Sequence, residues 1–195
     1  METPASLLPL RLRFKNSPLR TVAMKGDWEV ETDPTGHFAY SLDGSRAQLY
    51  QWRLGRDAAL KKLSPHQVEA HSHPSFLRFH PSGRFAYISC SHGALCQYRV
   101  QAGALVPLKP LATYVATNPS PLWFDAPGRF ACVLTYGDPE QSPPNDQVTI
   151  FKVEKNGQLT KLRKIDVCRA DSSLSRSAWE GKVAHLTVVG SRLEP

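Results

Sequence analysis

One short pattern recurs through this chain and limits what it can fold into. Pro34-x-Gly36-His37-Phe38-Ala39-Tyr40 returns as Pro81-x-Gly83-Arg84-Phe85-Ala86-Tyr87, and in reduced form as Gly128-Arg129-Phe130-Ala131-Cys132. The three glycines are 47 and 45 residues apart. Other anchors keep the same register. Leu49-Tyr50-Gln51-Trp52-Arg53-Leu54 corresponds to Leu95-Cys96-Gln97-Tyr98-Arg99-Val100 and to Val148-Thr149-Ile150-Phe151-Lys152-Val153. Leu60, Leu105 and Leu159 follow these segments by five or six residues, and Pro74–Phe79 corresponds to Pro119–Phe124. A fixed period of this length marks a chain built from stacked copies of one supersecondary unit.

Each anchor has a physical reading. In Leu77-Arg78-Phe79 and Leu122-Trp123-Phe124 the first and third side chains share one face of a strand, because the period of a strand is two. Pro81-Ser82-Gly83 and its counterparts are tight turns in which glycine supplies a positive φ. Phe85–Ser89 is a second strand, and Leu95–Val100 alternates as a third. Leu105–Tyr114 is a fourth, and Pro107 and Pro110 suit it to an outer edge. Four short strands per repeat of about 46 residues is the spacing of a β-propeller blade. No segment keeps a helical apolar period. The sequence therefore predicts an all-β fold with three four-stranded blades, at 28–68, 75–116 and 120–168. The third carries a Pro-, Asp- and Gln-containing insertion, Tyr136–Asp146, expected as an exposed loop between its second and third strands.

Composition adds boundaries. The chain has 195 residues, 16 prolines and 12 glycines, which suits many short elements joined by turns. Its formal charge is +7, but the lysines and arginines are scattered. Without a basic block or a basic–aromatic stacking pattern, the chain does not read as a nucleic-acid binder. Cys90, Cys96, Cys132 and Cys168 form no C-x-x-C pair and read as buried thiols, although Cys90 and Cys96 can face each other across a hairpin. Trp28, Trp52, Trp123 and Trp179 read as packing residues. Arg84 and Arg129 share a repeat position with His37, so packing explains them better than phosphate binding. No secretory leader or membrane span is evident, and a cytoplasmic location is expected.

The repeat text Phe79-His80-Pro81-Ser82-Gly83-Arg84-Phe85-Ala86-Tyr87-Ile88-Ser89, followed by Gln97-Tyr98-Arg99-Val100 and Gly103-Ala104-Leu105, resembles the lactonase-type seven-bladed propellers, which include 6-phosphogluconolactonase. The resemblance covers most of 28–168. It implies a His-x-His pair shortly before a Pro-Asp-Gly-Arg turn, and His71-Ser72-His73 stands in about that place. Ser82 replaces the turn aspartate, and Ser89-Cys90-Ser91-His92-Gly93 replaces the acidic loop. On this resemblance His71 and His73 are the catalytic candidates, as base and water-orienting group, and His92 is the candidate substrate contact. The substrate would be a sugar lactone, and the basic charge would suit a phosphorylated one. No cofactor or metal is expected: His66, His71, His73 and His80 lack helical spacing and an acidic partner. The competing reading is a non-enzymatic propeller module that binds another protein or its own copy.

Three blades do not close a ring, and an open arc exposes apolar flanks. Leu7–Phe14 and Leu19–Met24 are expected as two strands, and Lys182–Val189 as another, which together would build a closing blade. Residues 169–181 lose the pattern and read equally as the altered tail of a truncated frame. An open fragment, a four-bladed ring and a ring of two paired arcs all remain compatible with the sequence.

Overall fold

A computed structural model describes residues 7–12, 20–25 and 167 as main chain, and residues 29–55, 59–136 and 146–166 in full. Trp28, Trp179, Cys168, most of the insertion, residues 169–181 and Lys182–Val189 lie outside the described residues. β1 (Leu7–Leu12) and β2 (Arg20–Lys25) pair antiparallel as a two-stranded sheet. Three four-stranded antiparallel sheets follow, each running in chain order. The first contains β3 (Val30–Thr32), β4 (Phe38–Asp43), β5 (Gln48–Leu54) and β6 (Leu60–Glu69). The second contains β7 (Pro74–Phe79), β8 (Phe85–Cys90), β9 (Ala94–Gln101) and β10 (Ala104–Tyr114). The third contains β11 (Trp123–Phe124), β12 (Phe130–Thr135), β13 (Asp146–Val153) and β14 (Leu159–Val167). These are the sheets of a partial propeller, and no helix among the described residues is long and apolar enough to cross a membrane.

The recurring Pro-x-Gly segments are the turns between the first and second strands. Gly36, Gly83 and Gly128 take φ values of 69°, 67° and 71°, the left-handed region that favours glycine. A side chain just before each turn closes it. Asp33 accepts the main-chain N–H groups of His37 and Phe38 (3.0 and 2.9 Å), and Asp125 accepts that of Phe130 (2.8 Å). His80 takes this place in the second blade. Its Nδ1 accepts the Ser82 N–H (3.1 Å), which leaves Nε2–H to donate to the Gly128 carbonyl of the third blade (2.7 Å).

The same repeat positions fasten one blade to the next. Tyr40 Oη donates to the Gly103 carbonyl (2.6 Å) and Tyr87 Oη to the Gly157 carbonyl (2.7 Å). Gln51 Oε1 accepts the Leu105 N–H (2.9 Å), and Gln97 Oε1 accepts that of Leu159 (2.7 Å). The glutamine amides also donate within their own blades, to Pro65 and Pro110 carbonyls. Gly103 and Gly157 have to be glycine, because a Cβ there would collide with the Phe38 and Phe85 rings. At the recurring basic position Arg84 and Arg129 lie over Phe85 and Phe130 at 5.5 and 5.8 Å, while in the first blade Arg53 of the third strand covers Phe38 at 5.2 Å.

Between these polar contacts lies the core. Tyr40, Leu42 and Leu49 pack on Leu77, Ile88, Cys96 and Tyr98 of the next blade. Phe85, Tyr87 and Leu95 pack in turn on Leu122, Val133 and Phe151. Trp52 is buried in a cluster with Ala39, Tyr50 and Leu54, and Trp123 packs beside Cys132, Leu134, Tyr136 and Val148. Pro107 and Pro110 fall in β10 where the register against β9 shifts, between Pro107 and Ala112. One expectation needs correction. The insertion does not begin and end in the open: Tyr136 and Asp146 are both buried, as continuations of β12 and the start of β13.

Burial raises the Tyr40 and Tyr87 phenols well above their ordinary range, so both hydroxyls stay protonated donors. Tyr40→Phe and Tyr87→Phe should each lower unfolding stability by about 1–2 kcal/mol, because each strands a buried carbonyl. Gly157→Ala should cost more, about 2–4 kcal/mol from overpacking against Phe85 and the positive φ of 90°. Urea titration followed by tryptophan fluorescence checks the order.

Candidate functional site

Four-stranded meanders send alternate connections to opposite ends of the sheets. The Pro-x-Gly turns share one end. The blade-to-blade connections and the loops between second and third strands share the other, and there the predicted histidines meet. His71, Ser72 and His73 link β6 to β7, and His92 sits between β8 and β9.

Hydrogen bonds join these residues. Ser72 Oγ lies 3.3 Å from His71 Nδ1 and 3.4 Å from His92 Nδ1, bridging the two imidazoles. His71 Nε2 is 3.3 Å from Tyr114 Oη, and the two rings meet edge to face. The His73 and His92 rings meet edge to face with centroids 4.9 Å apart. His71 is half-buried with both nitrogens engaged, whereas His73 and His92 are exposed. The His73 ring and His92 Nε2 make no hydrogen bond to protein among the described residues.

Local geometry explains why the cluster assembles. His73 takes φ 54°, unusual for a side-chain-bearing residue. Its carbonyl is held there by the Ser91 N–H (3.0 Å) and Ser75 Oγ (3.1 Å). Gly93 brings the His92 loop against the chain leaving β10, since a Cβ would press on the Val115 and Ala116 carbonyls. The Val115 N–H closes that contact on the Gly93 carbonyl (2.9 Å).

Beneath the histidines lie two thiols. Cys90 and Cys96 Sγ are 3.8 Å apart, both buried and neither in a disulfide. The Cys96 sulfur beside it, and then burial, hold the Cys90 thiol far above its ordinary range. Among the described residues no three His, Cys, Asp or Glu side chains are placed to hold one metal ion. None of the three imidazoles hydrogen-bonds a carboxylate among the described residues. His66 and His80, also near in sequence, stand apart from the cluster: His66 packs on Tyr50 and Trp52, and His80 holds the opposite end.

Sequence reasoning missed Ser72 as a bridge and Tyr114 as a partner, because both depend on which loops share an end. It also missed an ionic group on the first strands. Glu29 accepts the Leu77 N–H (2.6 Å) and the Arg78 guanidinium (3.2 Å), with Glu31 3.8 Å from Arg78. Burial raises the Glu31 carboxyl and Glu29 adds to it, with Arg78 opposing. The repeat register holds a signal for this pair, since Glu31 and Arg78 occupy equivalent positions. At the end of β4 in the first blade Asp43 is buried. Burial pushes its carboxyl up, but hydrogen bonds from Ser45 and Arg46 outweigh this and hold it below the ordinary value.

Comparison with known proteins adds the following. The family model described as lactonase, seven-bladed β-propeller, matches residues 28–170. A periplasmic gluconolactonase of Pseudomonas aeruginosa superposes with a TM-score of 0.59 and 23% identity, over 72% of this chain and 40% of that one. A Bacteroides fragilis protein provisionally described as a 6-phosphogluconolactonase gives 0.60 and 22%, over 72% and 41%. A Bacteroides uniformis protein with the same provisional description gives 0.62 and 16%, over 88% and 55%. At these identities the structural likeness is one of fold, and the chain spans about half the length of these proteins or less. No curated protein matches the chain.

The Asp43 shift has a testable sign. Its native value lies below the ordinary 3.8, so its stabilisation is complete above that pH and is lost as pH falls through the lower native value. Asp43→Asn should therefore be less stable at neutral pH and lose less stability on acidification below about pH 4. Urea unfolding of both proteins across pH 2–6 checks this.

Proposed function

Because the chain belongs to the lactonase seven-bladed β-propeller family, we propose that its histidine-bearing end binds a sugar lactone and adds water to it. The observation that carries this reading is the Ser72 bridge between His71 and His92, which leaves one imidazole edge open to solvent. With Ser72 donating to His71 Nδ1, it accepts from His92 Nδ1–H, and His71 Nε2–H points to Tyr114 Oη. The Nε2 lone pair of His92 is then free, and His92 is the base. His73, edge to face with His92 and exposed, orients the water or the substrate hydroxyls. His71 holds the bridge from inside.

The chemistry is ring opening. Water attacks the lactone carbonyl as His92 Nε2 takes its proton, and the carbon–ring-oxygen bond breaks. The ring oxygen leaves as the hydroxyl of an open hydroxy acid, and His92 is the proton source for it. A glucono-lactone is the first substrate to test, with its 6-phosphate beside it.

Pairing of this arc with its own copy, or with a protein partner, is the second reading. The absence of a carboxylate partner for the imidazoles, among the described residues, favours binding without catalysis. Light scattering on the purified chain separates monomer from paired arcs.

Hydrolysis of both lactones is followed by pH-stat above the spontaneous rate. His92→Ala should lower kcat/KM by about 10²–10⁴-fold, the usual contribution of a general base. His73→Ala should mainly raise KM. Hydrolysis that is indifferent to loss of all three histidines, or no hydrolysis above background, would overturn the proposal.

A further inference from the structure

His71 sits in a connection, and its main chain is held by sulfur. Its N–H donates to Cys96 Sγ (3.3 Å), and Cys90 Sγ–H points at its carbonyl (3.7 Å). Residues on either side are fixed by ordinary main-chain bonds: the Ala70 N–H to the Ala47 carbonyl (2.9 Å) and the Ser91 N–H to the His73 carbonyl (3.0 Å). The Tyr98 hydroxyl holds the Glu69 carbonyl just before them (2.8 Å). Between these supports the two sulfurs take the place that a strand ladder fills elsewhere.

We infer that Cys90 and Cys96 are positioning residues for the histidine cluster: through the His71 main chain they hold the imidazole within reach of both Ser72 and Tyr114. The inference rests on the proposed function only in naming that cluster a site; the contacts themselves stand apart from any activity. Three features support it. Both sulfurs are fully buried on adjacent strands, so their positions follow the sheet and not the loop. The Cys90 thiol stays protonated and keeps its donor. The bridge from His71 to His92 is long at both steps, 3.3 and 3.4 Å, so a small displacement of His71 breaks it.

The repeat makes the two sites distinctive. Cys90 corresponds to Asp43 and Thr135, and Cys96 to Tyr50 and Thr149. In the first blade Tyr50 Oη lies 3.3 Å from Asp43 Oδ2; in the second the two sulfurs, 3.8 Å apart, also reach the neighbouring connection.

The test is NMR of the full chain, with amide exchange for the His71 main chain and imidazole ¹⁵N shifts for the side chains. Cys96→Val removes the acceptor at similar size, and Cys96→Ser restores one. In Cys96→Val the His71 amide should exchange about tenfold faster, as expected for a lost buried hydrogen bond. Ser72→Ala should move the His92 Nδ1 ¹⁵N shift in the wild type and in Cys96→Ser, but not in Cys96→Val. Cys90→Ala and Cys90→Ser form the parallel pair at the carbonyl and serve if Cys96→Val does not fold. An unchanged His71 amide and an intact Ser72 effect in Cys96→Val and Cys90→Ala would overturn the inference. That outcome is distinct from failure of the lactonase reading, which shows as absent hydrolysis with the thiol dependence of the imidazoles intact.

Discussion

The fold depends on a polar clamp between neighbouring blades. A single four-stranded sheet has two apolar flanks and cannot bury either alone. Stacking buries them, but it also takes main-chain groups at the rim of each sheet away from water, and these need partners. Tyr40 and Gln51 supply them for the second blade, and Tyr87 and Gln97 for the third. Each clamp pairs one hydroxyl with one carbonyl and one amide oxygen with one N–H, so it sets the offset between blades. An apolar flank alone would tolerate sliding.

The third blade departs from this scheme on its far flank. Cys132 stands where Tyr40 and Tyr87 stand, and Ile150 where Gln51 and Gln97 stand. Phe130 is retained under its arginine. That flank therefore packs by shape, through Trp123, Cys132, Leu134, Tyr136, Val148 and Ile150. The Thr149 hydroxyl, buried without a hydrogen bond among the described residues, belongs to the same strand as Ile150. Polar specificity is thus concentrated between the first two junctions, where the offset between blades has to be exact for the loops above them to meet.

Those loops divide the molecule's work by end. At the Pro-x-Gly end a carboxylate or imidazole closes each turn, glycine absorbs the positive φ, and His80, Tyr40 and Tyr87 tie one blade to the turns of the next. The other end is built on contacts between connections far apart in sequence. Glycine at 93 and the left-handed His73 bring three loops within hydrogen-bond reach, and the buried thiols hold the middle one from below. Chemistry at this end relies on exposed imidazoles carried by a rigid scaffold, the usual division between loop and sheet.

How much of this was legible in the sequence follows from the range of each interaction. The repeat, the strands and the turn glycines are local: alternation of side chains and a φ requirement leave marks within a few residues. The sequence by itself therefore determined an all-β propeller arc with four strands to a blade, and the positions of its turns. The same period placed His71, His73 and His92 in connections. Only the tertiary structure decided that these connections share an end, that Ser72 bridges two of the imidazoles, and that Tyr114 and two buried thiols hold His71. It also showed that His80 serves the opposite end and that Tyr136 and Asp146 are buried. The reason is physical: such contacts join residues 19 to 48 positions apart, and their geometry depends on how one blade is offset against the next. No local pattern of residue types records that offset.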